Sequence, residues 1–117
     1  MGCIWIAEEN AQVAQVMELL LKRGGHTTFQ ITARTKFPEQ APQILIVNPS
    51  GFGMSMLNRV RSIAPEVKVL VVSGRATPTE LAELGTDGAL TKPFNNSDLL
   101  ATVAKLLPTN PDDSETD

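Results

Sequence analysis

Four short apolar runs constrain most strongly what this chain can fold into. They cover residues 3–7, 44–47, 67–72 and 89–90. Three of them are bounded by proline or polar turn residues, and an almost continuous apolar run of this length is typical of a strand buried on both faces. A fifth segment, residues 27–33, alternates Phe29 and Ile31 with polar residues, which indicates a half-exposed strand nearer an edge. The sequence therefore predicts a five-stranded, mostly buried sheet.

Helical patterns separate these runs. The predicted helices cover residues 11–23, 54–64, 78–84 and 98–107. Gly24-Gly25 ends the first, Thr77 to Glu80 is a capping box for the third, which Gly85 ends, and Asn96 or Ser97 caps the last. The residues expected to face the core are Val13, Val16, Met17, Leu20, Met56, Leu57, Val60, Ile63, Leu99, Leu100, Val103, Leu106 and Leu107. Alternation of strands and helices indicates an α/β fold, a doubly wound parallel sheet with helices on both faces.

Length and charge limit the classes of function. The chain has 117 residues, which is one domain, and we assign residues 1–107 to it. Residues 108–117 hold four acids and no large apolar side chain, so they are interpreted as a disordered acidic tail or linker. Without them nine acids face ten bases, and this near-neutral body argues against a dedicated nucleic-acid or anionic-membrane binder.

The cellular setting follows from what the composition lacks. A single cysteine, Cys3, cannot form an internal disulfide and is expected to be a small buried side chain. No apolar stretch approaches the roughly 20 residues of a membrane-spanning helix. We therefore expect a cytoplasmic protein that does not insert into a membrane.

The polar residues that follow the strands indicate where a site would lie. In doubly wound sheets, ligands bind beyond the carboxyl ends of the strands, at the point where strand order reverses. For the order 2-1-3-4-5 that point lies between the first and third strands. The segments that meet there are Glu8-Glu9-Asn10, Asn48-Pro49-Ser50, Ser73-Gly74 and Lys92-Pro93-Phe94.

This set of segments, in this order, resembles the receiver domain of bacterial two-component response regulators. The acidic pair with Asn10, the Val-Val-Ser-Gly that ends at Gly74 and the Leu-Thr-Lys-Pro-Phe that ends at Phe94 carry the resemblance, which covers residues 3–107. It implies a flavodoxin-like sheet of order 2-1-3-4-5. It also implies a role in phosphorelay signal transduction.

The residue types at the implied site depart from those that the family's chemistry needs. Family receivers accept a phosphoryl group on an aspartate at the end of the third strand, and that aspartate and the acidic pair hold Mg²⁺. Here the acceptor position is Asn48, and a neutral amide cannot form an acyl phosphate. Glu8 and Glu9 stand where aspartates are usual, and Mg²⁺ tolerates such displaced ligands poorly. We therefore expect no metal or other cofactor, with Glu8 and Glu9 as weak candidates for a cation.

The resemblance assigns further positions. Ser73 occupies the position of the family's switch hydroxyl, and Lys92 that of its phosphate-contacting lysine. Ala89 occupies the position of the family's switch aromatic, so no ring is present there to rotate. The Lys92-Pro93 bond is expected to be cis. The connections at 34–43, 51–53 and 78–84 are each about one turn short, which predicts that the second helix of the family is shortened or lost.

Several of these residues have an alternative, purely structural interpretation. Glu8 and Glu9 are either a pocket or solvated loop acids, and Lys92 is either their internal ion-pair partner or a surface lysine. Ser73 could serve only backbone groups, and Phe52 either docks a partner or fills the space that the short loop leaves. Of the remaining residues, we expect Trp5 and Phe94 to lie in the core and His26 to lie at the surface.

Three functions compete. The first is a pseudo-receiver that is not an enzyme and binds a signalling partner or a second copy. Its face would be the family's fourth helix, fifth strand and fifth helix, with Arg75, Glu83, Asp87 and Lys105 as rim contacts. The second is an active receiver with atypical phosphorylation or metal binding. The third is a flavodoxin-like nucleotide-binding domain or enzyme, against which the two glutamates after the first strand argue, because they would repel an anion.

Overall fold

Five parallel strands form the sheet in the computed structural model, which describes residues 2–50, 52–74 and 78–107. The strands are β1 (Cys3–Ala7), β2 (Thr27–Gln30), β3 (Ile44–Val47), β4 (Lys68–Ser73) and β5 (Gly88–Thr91). Their order is β2-β1-β3-β4-β5, so the predicted order is confirmed. The strand pattern places β1 and β3 side by side at the centre, with the reversal of strand order between them.

The described residues contain four helices: α1 (Ala11–Arg23), α2 (Gly53–Ile63), α3 (Pro78–Leu84) and α4 (Asn96–Leu106). The prediction that Asn96 or Ser97 caps the last helix is wrong, because the Asn95 side chain accepts a hydrogen bond from the Asp98 amide at 2.8 Å. Thr77 lies outside the described residues. Of the helices in residues 2–50, 52–74 and 78–107, none has the length and apolar character to cross a bilayer.

Each face of the sheet has its own core. α1 and α4 cover one face, where Met17, Leu21, Leu99 and Val103 are buried, and α2 covers the other. Two predicted core positions are wrong, because Val16 is 52% exposed and Ile63 is 55% exposed. The buried stripe of α1 runs through residues 14, 17 and 21, which turns Val16 toward solvent. Ile63 is the last residue of α2 and borders an open groove at the amino end of the sheet.

The second helix of the family is lost between β2 and β3, where the structure has no helix in residues 31–43. Phe37 from this connection packs on Trp5 with ring centroids 5.1 Å apart, and the Arg59 guanidinium lies 4.6 Å from the centroid of Phe37. The Trp5 indole also donates to the Gln40 carbonyl at 3.2 Å. One aromatic side chain and a few hydrogen bonds thus take over the covering role of a helix.

Candidate functional site

The carboxyl ends of β1, β3 and β5 bring three polar side chains together at the point where strand order reverses. Glu8 follows β1 directly, Asn48 follows β3, and Lys92 follows β5. Glu8 is the centre of the group. As a whole residue Glu8 is 7% exposed, whereas the side chain of Lys92 is 25% exposed. Glu8, Asn48 and Lys92 are called the carboxylate cluster below.

Glu8 uses both carboxylate oxygens inside the protein. Its Oε2 accepts hydrogen bonds from the Asn48 Nδ2 at 3.1 Å and from the Asn10 backbone amide at 3.2 Å. Its Oε1 is in direct contact with the Lys92 ammonium. One charge therefore neutralises the other within the site, and two neutral donors complete the environment of the carboxylate.

The pKa of Glu8 results from opposing effects. Burial alone raises the pKa, because it disfavours the charged form. Hydrogen bonds from Lys92, the Asn10 amide and Asn48 stabilise the carboxylate more strongly than burial penalises it, so the pKa lies below its ordinary value. Glu8 is consequently ionised at neutral pH.

Both ends of the Asn48 amide are also engaged. Its Nδ2 donates to Glu8, and its Oδ1 accepts a hydrogen bond from the Ser50 amide at 3.1 Å. The next residue, Pro49, has no backbone N–H. An asparagine usually becomes an aspartate when the peptide nitrogen of the next residue attacks the side-chain amide and closes a ring. Pro49 blocks this route.

A close contact that the sequence patterns did not indicate holds α2 against Asn48. A Cβ atom on Gly53 would lie 1.7 Å from the Asn48 carbonyl oxygen, so only glycine fits at this point. The neighbouring Phe52 packs against the core beside α2, which supports the space-filling interpretation over a docking one. The only sequence signal for this contact is the glycine that follows Phe52 and begins α2. Gly51 lies outside the described residues.

Glu9 and Ala89 stand apart from the cluster. Glu9 is exposed, so the expected acidic pair divides into one buried and one solvated carboxylate. Successive residues at a strand end point to opposite sides, which explains the division. Ala89 lies on β5, exposed, with only a methyl group at the position where the resemblance expects an aromatic ring.

The remaining predicted positions lie beside the cluster. Ser73 is buried at the end of β4, and its carbonyl accepts a hydrogen bond from the Lys92 amide at 2.9 Å. The Lys92-Pro93 bond is cis, as expected. Phe94 packs against the core that α1 covers. His26 lies in the connection before β2, away from the cluster, and accepts a hydrogen bond from the Gly2 amide at 3.3 Å.

Polar groups around the site are satisfied by the protein itself. In the part of the chain that the structure describes, every buried side-chain nitrogen or oxygen has a hydrogen-bond partner. Within the same residues, no three His, Cys, Asp or Glu side chains come together in a group that could hold a metal ion. The ammonium of Lys92 already occupies one side of the Glu8 carboxylate.

Comparisons with known proteins relate this arrangement to bacterial response regulators. The DNA-binding transcriptional regulator NtrC of Azospirillum brasilense is 26% identical over an alignment 117 positions long, which covers 92% of this chain and 24% of that protein. Among solved structures, NtrX from Brucella abortus has a TM-score of 0.78 at 18% identity, over 91% of this chain and 27% of that one. The chemotaxis response regulator CheY4 of Vibrio cholerae has a TM-score of 0.75 at 24% identity, over 92% of this chain and 99% of that one.

The chain thus spans about a quarter of the NtrC and NtrX proteins and nearly the whole of CheY4. No model of a protein family matches the sequence. The sheet order agrees with these similarities. The chain has the fold of response-regulator receiver domains, and its sequence is similar to that of NtrC over 92% of its length.

Proposed function

We propose that this domain is a pseudo-receiver: a signalling module that is not phosphorylated at Asn48, is not an enzyme, and acts by binding another protein. The single observation that carries the proposal is the carboxylate cluster. In this cluster the side-chain amide of Asn48 and the ammonium of Lys92 both contact Glu8. The chemistry of the acceptor position, the charge balance and the exposed surface each support the proposal.

The acceptor position supports it first. Formation of an acyl phosphate needs a carboxylate oxygen as nucleophile, and Asn48 has an amide whose nitrogen already donates to Glu8. Pro49 also blocks the usual route by which an asparagine becomes an aspartate.

The charge balance supports it second. In the family, the lysine at the position of Lys92 contacts a bound phosphoryl group. Here the Lys92 ammonium contacts a carboxylate that is part of the fold. Mg²⁺ requires near-octahedral oxygen ligands and keeps several of its waters, whereas Glu8 is almost fully buried and Glu9 is exposed on its own. We therefore propose that the domain holds no Mg²⁺ at physiological concentration.

The surface that the family uses for binding is polar in this protein. It corresponds to α3, β5 and α4, where Glu83 and Lys105 are exposed. Asp87 is also exposed, but one of its carboxylate oxygens accepts a hydrogen bond from the Val69 amide at 2.8 Å, so it is partly committed to the sheet. Arg75 lies outside the described residues. We propose that Glu83 and Lys105 contribute rim contacts to a signalling partner on this face.

The test is incubation with Mg²⁺ and a small-molecule phosphodonor, followed by intact-protein mass spectrometry. A receiver domain that has the acceptor aspartate serves as the assay control. We expect no added phosphoryl group on the wild type, and none on Asn48→Ala. A stable adduct on the wild type that Asn48→Ala abolishes would overturn the proposal, and an adduct that survives Asn48→Ala would favour atypical phosphorylation at another residue.

A further inference from the structure

Helix α3 contributes less to the core than α1, α2 and α4. None of its seven residues is buried, whereas each of those helices buries at least two side chains. Leu81 and Leu84 are only partly buried where they pack against the core on the α2 side of the sheet. Because burial of apolar surface is what chiefly holds a helix in a protein, polar contacts weigh more for α3 than for its neighbours.

Arg61 of α2 supplies polar contacts at the carboxyl end of α3. Its Nη2 lies 2.6 Å from the Leu84 carbonyl oxygen and 2.9 Å from the Gly85 carbonyl oxygen. This nitrogen carries two hydrogens, so it donates one to each carbonyl. The carbonyls at a helix end carry partial negative charge, which the half-buried guanidinium of Arg61 offsets.

The backbone that ends α3 leaves these two carbonyls to Arg61. The other carbonyls of the last turn have backbone partners: the Leu81 carbonyl accepts from the Thr86 amide at 3.4 Å. The Ala82 carbonyl accepts from the Gly85 amide at 3.2 Å. Gly85 has a φ of 66°, the left-handed conformation that ends many helices and favours glycine. A Cβ atom on Gly85 would lie 3.3 Å from the Nη2 of Arg61, so glycine also leaves room for the guanidinium.

We propose that Arg61 and the carbonyls of Leu84 and Gly85 form a latch that holds α3 in one position, and that α3 opens as a separate unit when the latch is broken. The latch contains no atom of the carboxylate cluster, so it acts without any group added at Asn48. It fixes the first element of the α3, β5 and α4 face, and a fixed surface lowers the cost of ordering on binding. The effect on a partner rests on the proposed function, whereas the latch itself rests on the contacts of Arg61 alone.

The test is amide hydrogen exchange of the full chain, followed by NMR. In the wild type, we expect the amides of residues 82–86 to be protected, but less than those of β4, because α3 opens without the sheet. Arg61→Met keeps an apolar side chain and removes the donors, and it should accelerate exchange at residues 82–86 at least about tenfold. A role of Arg61 within α2 alone would not accelerate these amides, because that role would persist while α3 is open.

Two further variants sharpen the comparison, with circular dichroism showing that each is folded. Arg34→Met is the control, since Arg34 is exposed in the connection before β3, and it should leave exchange at residues 82–86 unchanged. Arg61→Lys keeps a cation and should accelerate exchange there less than Arg61→Met does. Wild-type amides at 82–86 that are unprotected or as protected as those of β4, unchanged exchange in Arg61→Met, or equal effects of Arg61→Met and Arg34→Met would overturn the proposal. A phosphoryl adduct at Asn48 would contradict the proposed function without changing any of these results.

Discussion

At the scale of single residues, the different burial of two adjacent glutamates decides what the site can do. Glu8 is buried with both oxygens engaged, and Glu9 is in solvent. The sequence predicted a candidate acidic pair and an ion pair with Lys92. It could not say which glutamate turns inward, because two identical neighbouring residues carry no such signal. The direction follows from the register of β1, which is a property of the whole sheet.

Replacement of Lys92 by methionine tests the energetic weight of the ion pair. The change leaves the buried Glu8 carboxylate without its cation, and we expect a loss of about 1–3 kcal/mol in the free energy of unfolding, since Lys92 is partly exposed. Lys22→Met is the matched control, because Lys22 pairs with Glu18 at 3.8 Å on the surface. The Lys22→Met variant should lose less than about 0.5 kcal/mol in the free energy of unfolding. Equal urea midpoints for the two variants would contradict the role given to Lys92.

Glu8 should also make stability depend on pH. A carboxyl group whose pKa is lowered by folding binds its proton less tightly in the folded than in the unfolded chain. The stabilisation is therefore fully present above the ordinary value of 4.5 and is lost as the pH falls through the lowered pKa of Glu8. Urea unfolding of the wild type and Glu8→Gln should show a difference at neutral pH that shrinks on acidification. A difference that grows toward acid pH would contradict the assigned direction.

At the scale of secondary-structure elements, the sequence predicted which elements exist better than it predicted their ends and faces. Asn95, Asn96 and Ser97 are all good caps, so residue type alone could not decide among them, and the structure uses Asn95. Val16 fits the helical period of α1 almost as well as Leu21, so periodicity alone could not decide which of them is buried. The packing of Phe37 on Trp5 was not visible either, because it joins residues that are distant in the sequence.

The start of α2 depends on one glycine. We expect Gly53→Ala to lower the free energy of unfolding by about 1–3 kcal/mol, because the added methyl group would overlap the Asn48 carbonyl. Replacing glycine by alanine inside a helix usually has the opposite effect and raises the free energy of unfolding by up to about 1 kcal/mol. Gly74→Ala is the control: its methyl group would meet nothing within 4 Å, and we expect a change below about 0.5 kcal/mol. A thermal midpoint for Gly53→Ala at or above that of the wild type would show that the contact is not restrictive.

At the scale of the whole molecule, the topology positions a receiver-type site, and the side chains alter what it can do. The alternation of strands and helices predicted a doubly wound parallel sheet, and the resemblance to receiver domains implied the order β2-β1-β3-β4-β5, which the structure has. Asn48, Glu8 and Lys92 were predicted as site residues, with an ion pair between Lys92 and the glutamates, but the full set of hydrogen bonds depends on how three strand ends meet. We propose that the domain keeps the receiver fold while its own side chains close the site.

The most direct test of that closure is a titration of the isotopically labelled protein with Mg²⁺, followed by amide and side-chain NMR. The described structure predicts no saturable shifts at Glu8, Asn10, Asn48 or Lys92 up to several millimolar Mg²⁺, roughly the physiological range and above, because the carboxylate already holds an ammonium and two neutral donors. Saturable shifts that converge on these residues would contradict the account, since they would show that a cation displaces Lys92 and opens the site.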